Sequence, residues 1–188
     1  MKIKHLSVII TFTITILTHL PALATGNEYW KTGYLNIIYQ ELVCKPDEPE
    51  QDRSPCNFFA SNLLERGWGF TDFKNEGEYK SANQIAEFLY SDANWRALGS
   101  GDSQSTLTKA QEYANEGYPV FAVFTGNPNG HITIIIPGSL AASGSWGLNV
   151  PNSASFRLDS ITLTYVGKRL STSFRASDKS MVMLYARL

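Results

Sequence analysis

The sequence has few of the residues on which metal, cofactor and nucleic-acid sites depend. Its 188 residues include two cysteines and three histidines, fewer than a zinc site readily draws on, although carboxylates can contribute ligands. Lys and Arg (16) are balanced by Asp and Glu (17) and form no basic run, so nucleic-acid binding has no electrostatic support. No glycine-rich phosphate loop follows a predicted strand. We therefore expect no metal, no cofactor and no nucleic-acid partner.

An apolar segment at the N-terminus has the layout of an export signal. Lys2 and Lys4 precede an apolar, threonine-rich stretch over 6–17, and a small-x-small cleavage site ends at Ala24. Polar residues and a proline interrupt the apolar run before it reaches the length of a membrane span. We predict a signal peptide over 1–24 and an exported protein, periplasmic or secreted, without stable membrane insertion.

Removal of this signal leaves a chain, 25–188, whose length fits a single domain with its own core. Two of the three histidines leave with the signal, so that the mature chain keeps His131 alone. Its formal charge becomes −3, with 14 Lys and Arg against 17 Asp and Glu. Any chemistry that needs an imidazole therefore depends on this one residue.

One cysteine stands in the first turn of a predicted helix. Ser54 is a good N-cap and Pro55 suits the first helical position, which places Cys56 beside unpaired backbone N–H groups and the positive end of the helix dipole. A thiol at this place is most easily held as the nucleophilic thiolate. The helix is expected to end near Arg66. Its apolar stripe comprises Cys56, Phe59, Ala60, Leu63 and Leu64.

The rest of the chain divides into helices followed by strands. Apolar residues at helical spacing predict helices over 30–42, 81–89 and 105–117. The segment 91–105 between two of them is predicted to be a loop. Short apolar or alternating runs predict strands over 120–124, 131–136, 143–151, 160–166 and 181–185. Helices first and mostly antiparallel strands afterwards predict an α+β domain.

A cysteine at a helix start needs a base before it acts as a nucleophile, and His131 is the candidate. The first two predicted strands form a hairpin around the turn 126–130, and His131 opens the second strand. An imidazole there can lean over the strand edge toward a helix packed on the sheet. A cysteine and a histidine that are distant in sequence and adjacent in the fold meet the needs of thiol catalysis. Taken alone, His131 is better explained by a hydrogen bond to a carbonyl of the preceding turn.

The order of these motifs resembles that of the papain-like cell-wall amidases, the NlpC-like and CHAP group. The likeness rests on Cys56-Asn57 and Phe59 on a helix, then a hairpin, then Gly130-His131 leading an isoleucine-rich strand, and it covers roughly 33–151. Bacterial amidase effectors that cut peptidoglycan peptides are similar. The resemblance implies a papain-like fold and hydrolysis of amide bonds in peptidoglycan peptides.

The resemblance also implies roles for individual residues. Cys56 would be the nucleophile, with its backbone N–H in the oxyanion hole, and His131 the base. A polar residue on the next strand would orient the imidazole. Asn149 is preferred, because its carboxamide can accept from the ring N–H, and Ser145 is the alternative. Both residues are at least as well explained as polar residues on the solvent face of a strand. Pro55 replaces the Asp that is common before the family's cysteine, which leaves the subfamily open.

The two cysteines also permit an interpretation without catalysis. Cys44 and Cys56 lie twelve positions apart across an acidic, proline-containing loop, and two cysteines in an exported chain pair by default. Such a disulfide would contribute about 3 kcal/mol by the chain-entropy estimate. The alternative is then an exported binding module that uses its aromatic loops as a contact surface. A bridge of this kind could equally be a reversible off state of a catalytic thiol.

Peptidoglycan peptide is therefore the expected substrate. A cognate inhibitor protein is left open as a partner, because the sequence does not say whether the target is the producer's own wall or a competitor's. A related thiol transferase is a third interpretation, since nothing in the sequence distinguishes water from another acyl acceptor.

Overall fold

The structure of the protein is a computed structural model, and it describes residues 56–157 and 164–188. Within these ranges the chain forms three α-helices, ten β-strands and two short 3-10 helices. The α-helices are α1 (Cys56–Trp68), α2 (Ala82–Ser91) and α3 (Gln104–Asn115). The strands are β1 (Lys74–Asn75), β2 (Glu78–Tyr79), β3 (Trp95–Ser100), β4 (Val120–Phe124), β5 (His131–Ile135), β6 (Ala141–Ser143), β7 (Leu148–Val150), β8 (Asn152–Ser155), β9 (Tyr165–Arg169) and β10 (Met183–Arg187). The 3-10 helices are Leu170–Thr172 and Ala176–Asp178.

Six strands form one antiparallel sheet in the order β3-β10-β4-β5-β8-β9. β4 and β5 are a hairpin in which Phe124 pairs with His131. On its other side β5 pairs with β8, with Ile134 opposite Ala154. The pairs β1-β2 and β6-β7 are separate two-stranded sheets. The strand that opens with His131 is therefore an inner strand, and its second neighbour is β8.

Helices cover both faces of this sheet. α1 and α2 pack on one face, where Phe121 and Val123 of β4 join their buried side chains. α3 packs on the opposite face with Val120 and Ala122. Because strand side chains alternate between faces, a strand buried on both sides is apolar at every position. This accounts for the unbroken apolar run of β4.

Local signals in the sequence set the starts of α2 and α3. The Ser81 side chain accepts a hydrogen bond from the backbone N–H of Gln84, and the Gln84 side chain accepts one from the backbone N–H of Ser81. This reciprocal pair satisfies two backbone donors at the helix start. Ser103 caps α3 by accepting from the N–H of Thr106. After α3, Gly117 adopts φ 93°, a conformation that ends helices and favours glycine.

The predicted α+β class and the mostly antiparallel sheet are confirmed. The helices predicted over 81–89 and 105–117 correspond to α2 and α3. The hairpin predicted from 120–124 and 131–136 corresponds to β4 and β5. The predicted stripe of α1 is also buried, with Cys56 partly exposed at its end.

Two segments differ from their predictions. The segment 91–105, predicted as a loop, contains β3, an edge strand whose one partner in the sheet is the distant β10. The segment 143–151, predicted as one strand, includes a turn between β6 and β7 in which Gly147 adopts φ 68°. The chain then adds β8, which the sequence pattern does not predict. β3 and β8 pair with strands that are distant in the chain, which the local pattern does not show, whereas β6 and β7 pair across a short turn.

Some predictions concern residues outside the described ranges. They are the signal peptide over 1–24, the helix over 30–42, Cys44, the Ser54-Pro55 cap and part of the strand over 160–166. Among the residues that the structure describes, no helix has the length and apolar character needed to cross a membrane.

Candidate active site

Cys56 and His131 line one cavity of 760 Å³ at the end of the sheet where β5 begins. The cavity wall is completed by the start of α2, the β4–β5 turn and the segment around the second 3-10 helix. The structure therefore brings together the two residues that the sequence singles out, one from a helix and one from a strand.

The thiol and the imidazole reach the beginning of β5 from its two faces. Ile132 belongs to the core between the sheet and α1, and strand alternation directs His131 to the opposite face. There the ring of Phe174 meets the imidazole edge-on, with 5.4 Å between ring centroids. The backbone of Ile132 hydrogen-bonds the sulfur of Cys56. Both side chains thus enter the cavity around the strand end and not across one face of the sheet.

Burial dominates the electrostatics of Cys56, a half-buried residue with a free thiol. Burial raises the pKa of this thiol above its ordinary value of 9.0. Hydrogen bonds from the backbone at Ile132, Asn57 and Cys56 itself, and the charge of Arg157, lower the pKa by less. Burial therefore opposes ionisation of this thiol, against the effect expected of the helix start. The thiol needs a base to become a nucleophile.

The hydroxyl of Ser155 contacts the ring of His131, and the hydroxyl of Thr133 contacts Ser155. Nε2 of His131 lies 2.8 Å from Oγ of Ser155 on β8, and Oγ1 of Thr133 donates to the same Ser155 oxygen at 3.2 Å. Both hydroxyl residues are buried, each with 1% exposure. When Nε2 donates its hydrogen bond to Ser155, Nδ1 is the basic nitrogen of the ring. This is the protonation state that a base for the thiol requires.

Neither residue predicted to orient the imidazole lies at the cavity. Asn149 is exposed on β7, where its backbone bonds the side chain of Gln104. Ser145, in the β6–β7 turn, hydrogen-bonds Ser143. The prediction assumed that the next strand in chain order is also the sheet neighbour of β5. The β6–β7 hairpin intervenes in the sequence and the neighbour is β8, so the residue beside the imidazole is Ser155.

Ser155 was not predictable from residue types, because its strand consists of small and polar residues. β8 has the sequence Asn-Ser-Ala-Ser, without the β-branched and aromatic residues that mark strands. The available signal is a period of two, in which Ser153 and Ser155 alternate with Ala154 and Phe156.

The turn that precedes His131 is tied to α2 by the side chain of Asn83. Its amide nitrogen donates to the carbonyl oxygens of Gly126 at 2.9 Å and of Pro128 at 3.4 Å. Its Oδ1 accepts from the backbone N–H of Gly126 at 3.2 Å. Gly130 lies so close to Asn83 that a Cβ at this glycine would collide with the amide. The position of His131 at the cavity therefore depends on a contact between two elements.

Comparison with known proteins assigns no family. No family model matches the chain, and no curated protein matches it significantly. Within 56–157 and 164–188, no group of three or more His, Cys, Asp or Glu side chains is arranged to hold a metal ion. The geometry of the cavity is therefore the evidence that bears on function.

Proposed function

We propose that this protein is a papain-like cysteine amidase that hydrolyses amide bonds in the peptides of bacterial peptidoglycan. The observation that supports it most is the convergence of Cys56 and His131 on one cavity. They come from a helix and a later strand, in the order found in the amidases that the sequence resembles. A helix packed on an antiparallel sheet is in keeping with such a domain. The predicted export signal over 1–24 suits a substrate outside the cytoplasm.

The proposed reaction begins as the Cys56 sulfur attacks the carbonyl carbon of the substrate. A C–S bond forms, the thiol proton passes to His131, and the carbonyl electron pair moves to the oxygen. The backbone N–H of Cys56 stabilises this oxyanion. Because burial raises the pKa of the thiol, the attack depends on His131 to take up the thiol proton.

Collapse of the tetrahedral intermediate breaks the C–N bond. The imidazolium returns its proton to the leaving amine, and the acyl group stays on Cys56 as a thioester. His131 then takes a proton from water, which attacks the thioester. The C–S bond breaks, the sulfur regains a proton, and the free acid leaves. Ser155 acts through His131 as a positioning residue, because it accepts the Nε2 hydrogen while Nδ1 exchanges protons.

The direct test is digestion of purified peptidoglycan by the reduced mature protein. The wild type should release fragments with new peptide ends, and mass spectrometry of these fragments identifies the bond. Cys56→Ala should fold and lose activity by at least about 10³-fold, because the covalent step loses its nucleophile. Cys44→Ser is the matched control, since it removes the other thiol and should digest at the wild-type rate.

Two outcomes would contradict the proposal. One is a Cys56→Ala protein that digests peptidoglycan as fast as the wild type. The other is an inactive wild type whose Cys56 thiol is shown to be free. A constitutive, reduction-resistant Cys44–Cys56 bridge in the inactive protein would instead support the binding module.

A further inference from the structure

Asn57 follows Cys56 in the first turn of α1 and lines the same cavity. Its half-buried side chain reaches the segment that leads into α2, where Nδ2 donates to the backbone carbonyl oxygen of Lys80 at 2.8 Å. A carbonyl oxygen accepts hydrogen bonds and donates none, so the nitrogen end of the amide must face it. This contact therefore fixes the orientation of the Asn57 amide group, with Oδ1 at the opposite end.

The carbonyl that holds the Asn57 side chain belongs to an anchored residue. Nζ of Lys80 donates to the backbone carbonyl oxygens of Asp72 at 2.8 Å and of Lys74 at 2.6 Å. On the side of α1, the backbone carbonyl oxygen of Asn57 accepts from Oγ of Ser61 at 2.7 Å. Both ends of the contact are thus held before any ligand arrives. A side chain that is already ordered loses little conformational entropy on binding.

The oxygen end of the Asn57 amide is an acceptor without a partner. Within the described residues, no group donates a hydrogen bond to Oδ1, and the one buried side-chain polar atom that lacks a partner is Nε1 of Trp146. Oδ1 of Asn57 is therefore open to solvent. An amide oxygen can accept two hydrogen bonds. The nucleophile is followed, on the cavity wall, by an ordered acceptor that remains available.

We propose that Asn57 binds the substrate, with Oδ1 accepting a hydrogen bond from the amide N–H of the residue whose carbonyl Cys56 attacks. This inference rests on the proposed function and adds a requirement for the substrate, namely an N–H on the acyl residue. In the thioester of an α-linked residue, two carbon atoms separate this nitrogen from the sulfur, so the N–H stays close to the next side chain of the helix. The hydrogen bond holds the acyl residue in one orientation during attack.

The hydrogen bond can be measured without a peptide substrate. Cys56 is alkylated with iodoacetamide and with its N,N-dimethyl analogue, which has the same reacting carbon and no N–H. In both products two carbon atoms separate the nitrogen from the sulfur, as in the thioester. Compared with N-acetylcysteine in solution, the wild type should favour iodoacetamide by about five- to tenfold, the effect of one neutral hydrogen bond. An identical rate ratio in the protein and in N-acetylcysteine would overturn the inference.

Variants of Asn57 separate the acceptor from the contact with Lys80. Asn57→Ala removes both, and its rate ratio should fall to that of N-acetylcysteine. Asn57→Asp keeps an acceptor oxygen and loses Nδ2, so it should retain the preference for iodoacetamide even where its stability decreases. Asn62→Ala is the matched control and should keep the wild-type ratio, because Asn62 lies on the same helix and its Oδ1 accepts from the hydroxyl of Tyr79 outside the cavity.

Two results with these variants would contradict the proposal. A preference that persists in Asn57→Ala would come from steric exclusion of the dimethyl reagent. A preference that is lost equally in Asn57→Ala and Asn57→Asp would come from the contact between Nδ2 and Lys80, which joins α1 to the start of α2, and not from the acceptor.

A matched pair of peptides tests the same contact during cleavage. Both contain the bond that is cut in peptidoglycan, and one carries an N-methyl group on the amide nitrogen of the residue whose carbonyl is attacked. The wild type should cleave the N–H peptide about five- to tenfold faster in kcat/KM, and Asn57→Ala should cleave both equally. Discrimination between the alkylating reagents without any cleavage would keep the acceptor and reject the amidase. Equal cleavage of both peptides by the wild type would keep the amidase and reject the acceptor.

Discussion

At the scale of single residues, the chemistry of Cys56 depends on which of two opposing effects is larger. A helix N-terminus favours an anion by about 0.3–1 kcal/mol, and by up to about 2 kcal/mol in partly buried geometries. Burial can raise a pKa by up to about 3–5 units, each worth about 1.4 kcal/mol. Here the effect of burial is larger, since the pKa of the thiol is raised. In the proposed reaction His131 therefore serves to remove the thiol proton.

Ser155→Ala tests whether the hydroxyl beside the imidazole positions it. The change leaves Nε2 of His131 without the Ser155 acceptor, which costs about 1–3 kcal/mol. If this cost falls on the transition state, kcat/KM decreases roughly 10- to 100-fold. The rate of Cys56 alkylation against pH supplies a second readout. The midpoint of this pH profile should move in the same direction as in His131→Ala, because both variants weaken the base.

Ser153→Ala is the matched control for this prediction. Ser153 lies on the same strand, is fully buried, and bonds the hydroxyl of Tyr165 at 2.9 Å. Its loss should reduce stability by a similar amount without moving the alkylation midpoint. An identical midpoint shift in Ser153→Ala and Ser155→Ala would show that general loosening of β8, and not the hydrogen bond to His131, causes the effect.

At the scale of elements, the β4–β5 turn depends on Asn83 of α2. Asn83→Ala removes three hydrogen bonds to this turn and should lower the free energy of unfolding by about 1–3 kcal/mol. Catalysis should fall as well, because the turn that places His131 is released. Hydrogen exchange of the amides in 126–130, measured beside kcat/KM, checks both effects.

Gln84→Ala separates the role of the turn from that of the helix. Gln84 closes the cap of α2 through Ser81, so its loss weakens the same helical turn without touching the β4–β5 turn. We expect a stability loss of about 0.5–2 kcal/mol with little change in kcat/KM. If both variants lose activity equally, the contact between Asn83 and the turn does not position His131.

The helices were predictable because one local pattern determines each of them. In α2 the cap at Ser81 agrees with apolar residues at helical spacing, and these residues are buried, namely Ala82, Ile85, Ala86 and Leu89. The edge strand β3 and the short strand β8 have no such pattern, since their pairing depends on strands far away in the chain. The register of a strand and the identity of its neighbours in the sheet are determined by the tertiary structure.

The same distinction separates the predictable site residues from the others. Cys56 and His131 stand out because the sequence has so few cysteines and histidines, and the cavity brings both together. Ser155 is one serine among many, and its importance depends on which strand lies next to β5. Asn83 likewise matters through a turn that is distant in sequence.

At the scale of the whole molecule, one sheet supports two cores. β10 follows every other strand in the chain order and yet lies between β3 and β4. Its side chains alternate, with Tyr185 in the core beside α1 and α2 and Leu184 in the core beside α3. A strand that completes both cores couples the face covered by α1 and α2 to the face covered by α3. The described ranges should therefore unfold in one cooperative transition.

Leu184→Ala tests this coupling from the face opposite Cys56. Leu184 is fully buried, and its truncation should lower the free energy of unfolding by about 2–5 kcal/mol. Denaturant unfolding is followed by circular dichroism, which reports the sheet, and by alkylation of Cys56, which reports the cavity. The two denaturant midpoints should shift together. Met181→Ala is the control: this side chain is 54% exposed, so its truncation should change the free energy of unfolding by no more than about 0.5 kcal/mol. The contrary result is a thiol that becomes reactive before the circular dichroism signal is lost. The sheet would then persist after α1 has separated from it, and the two cores would unfold independently.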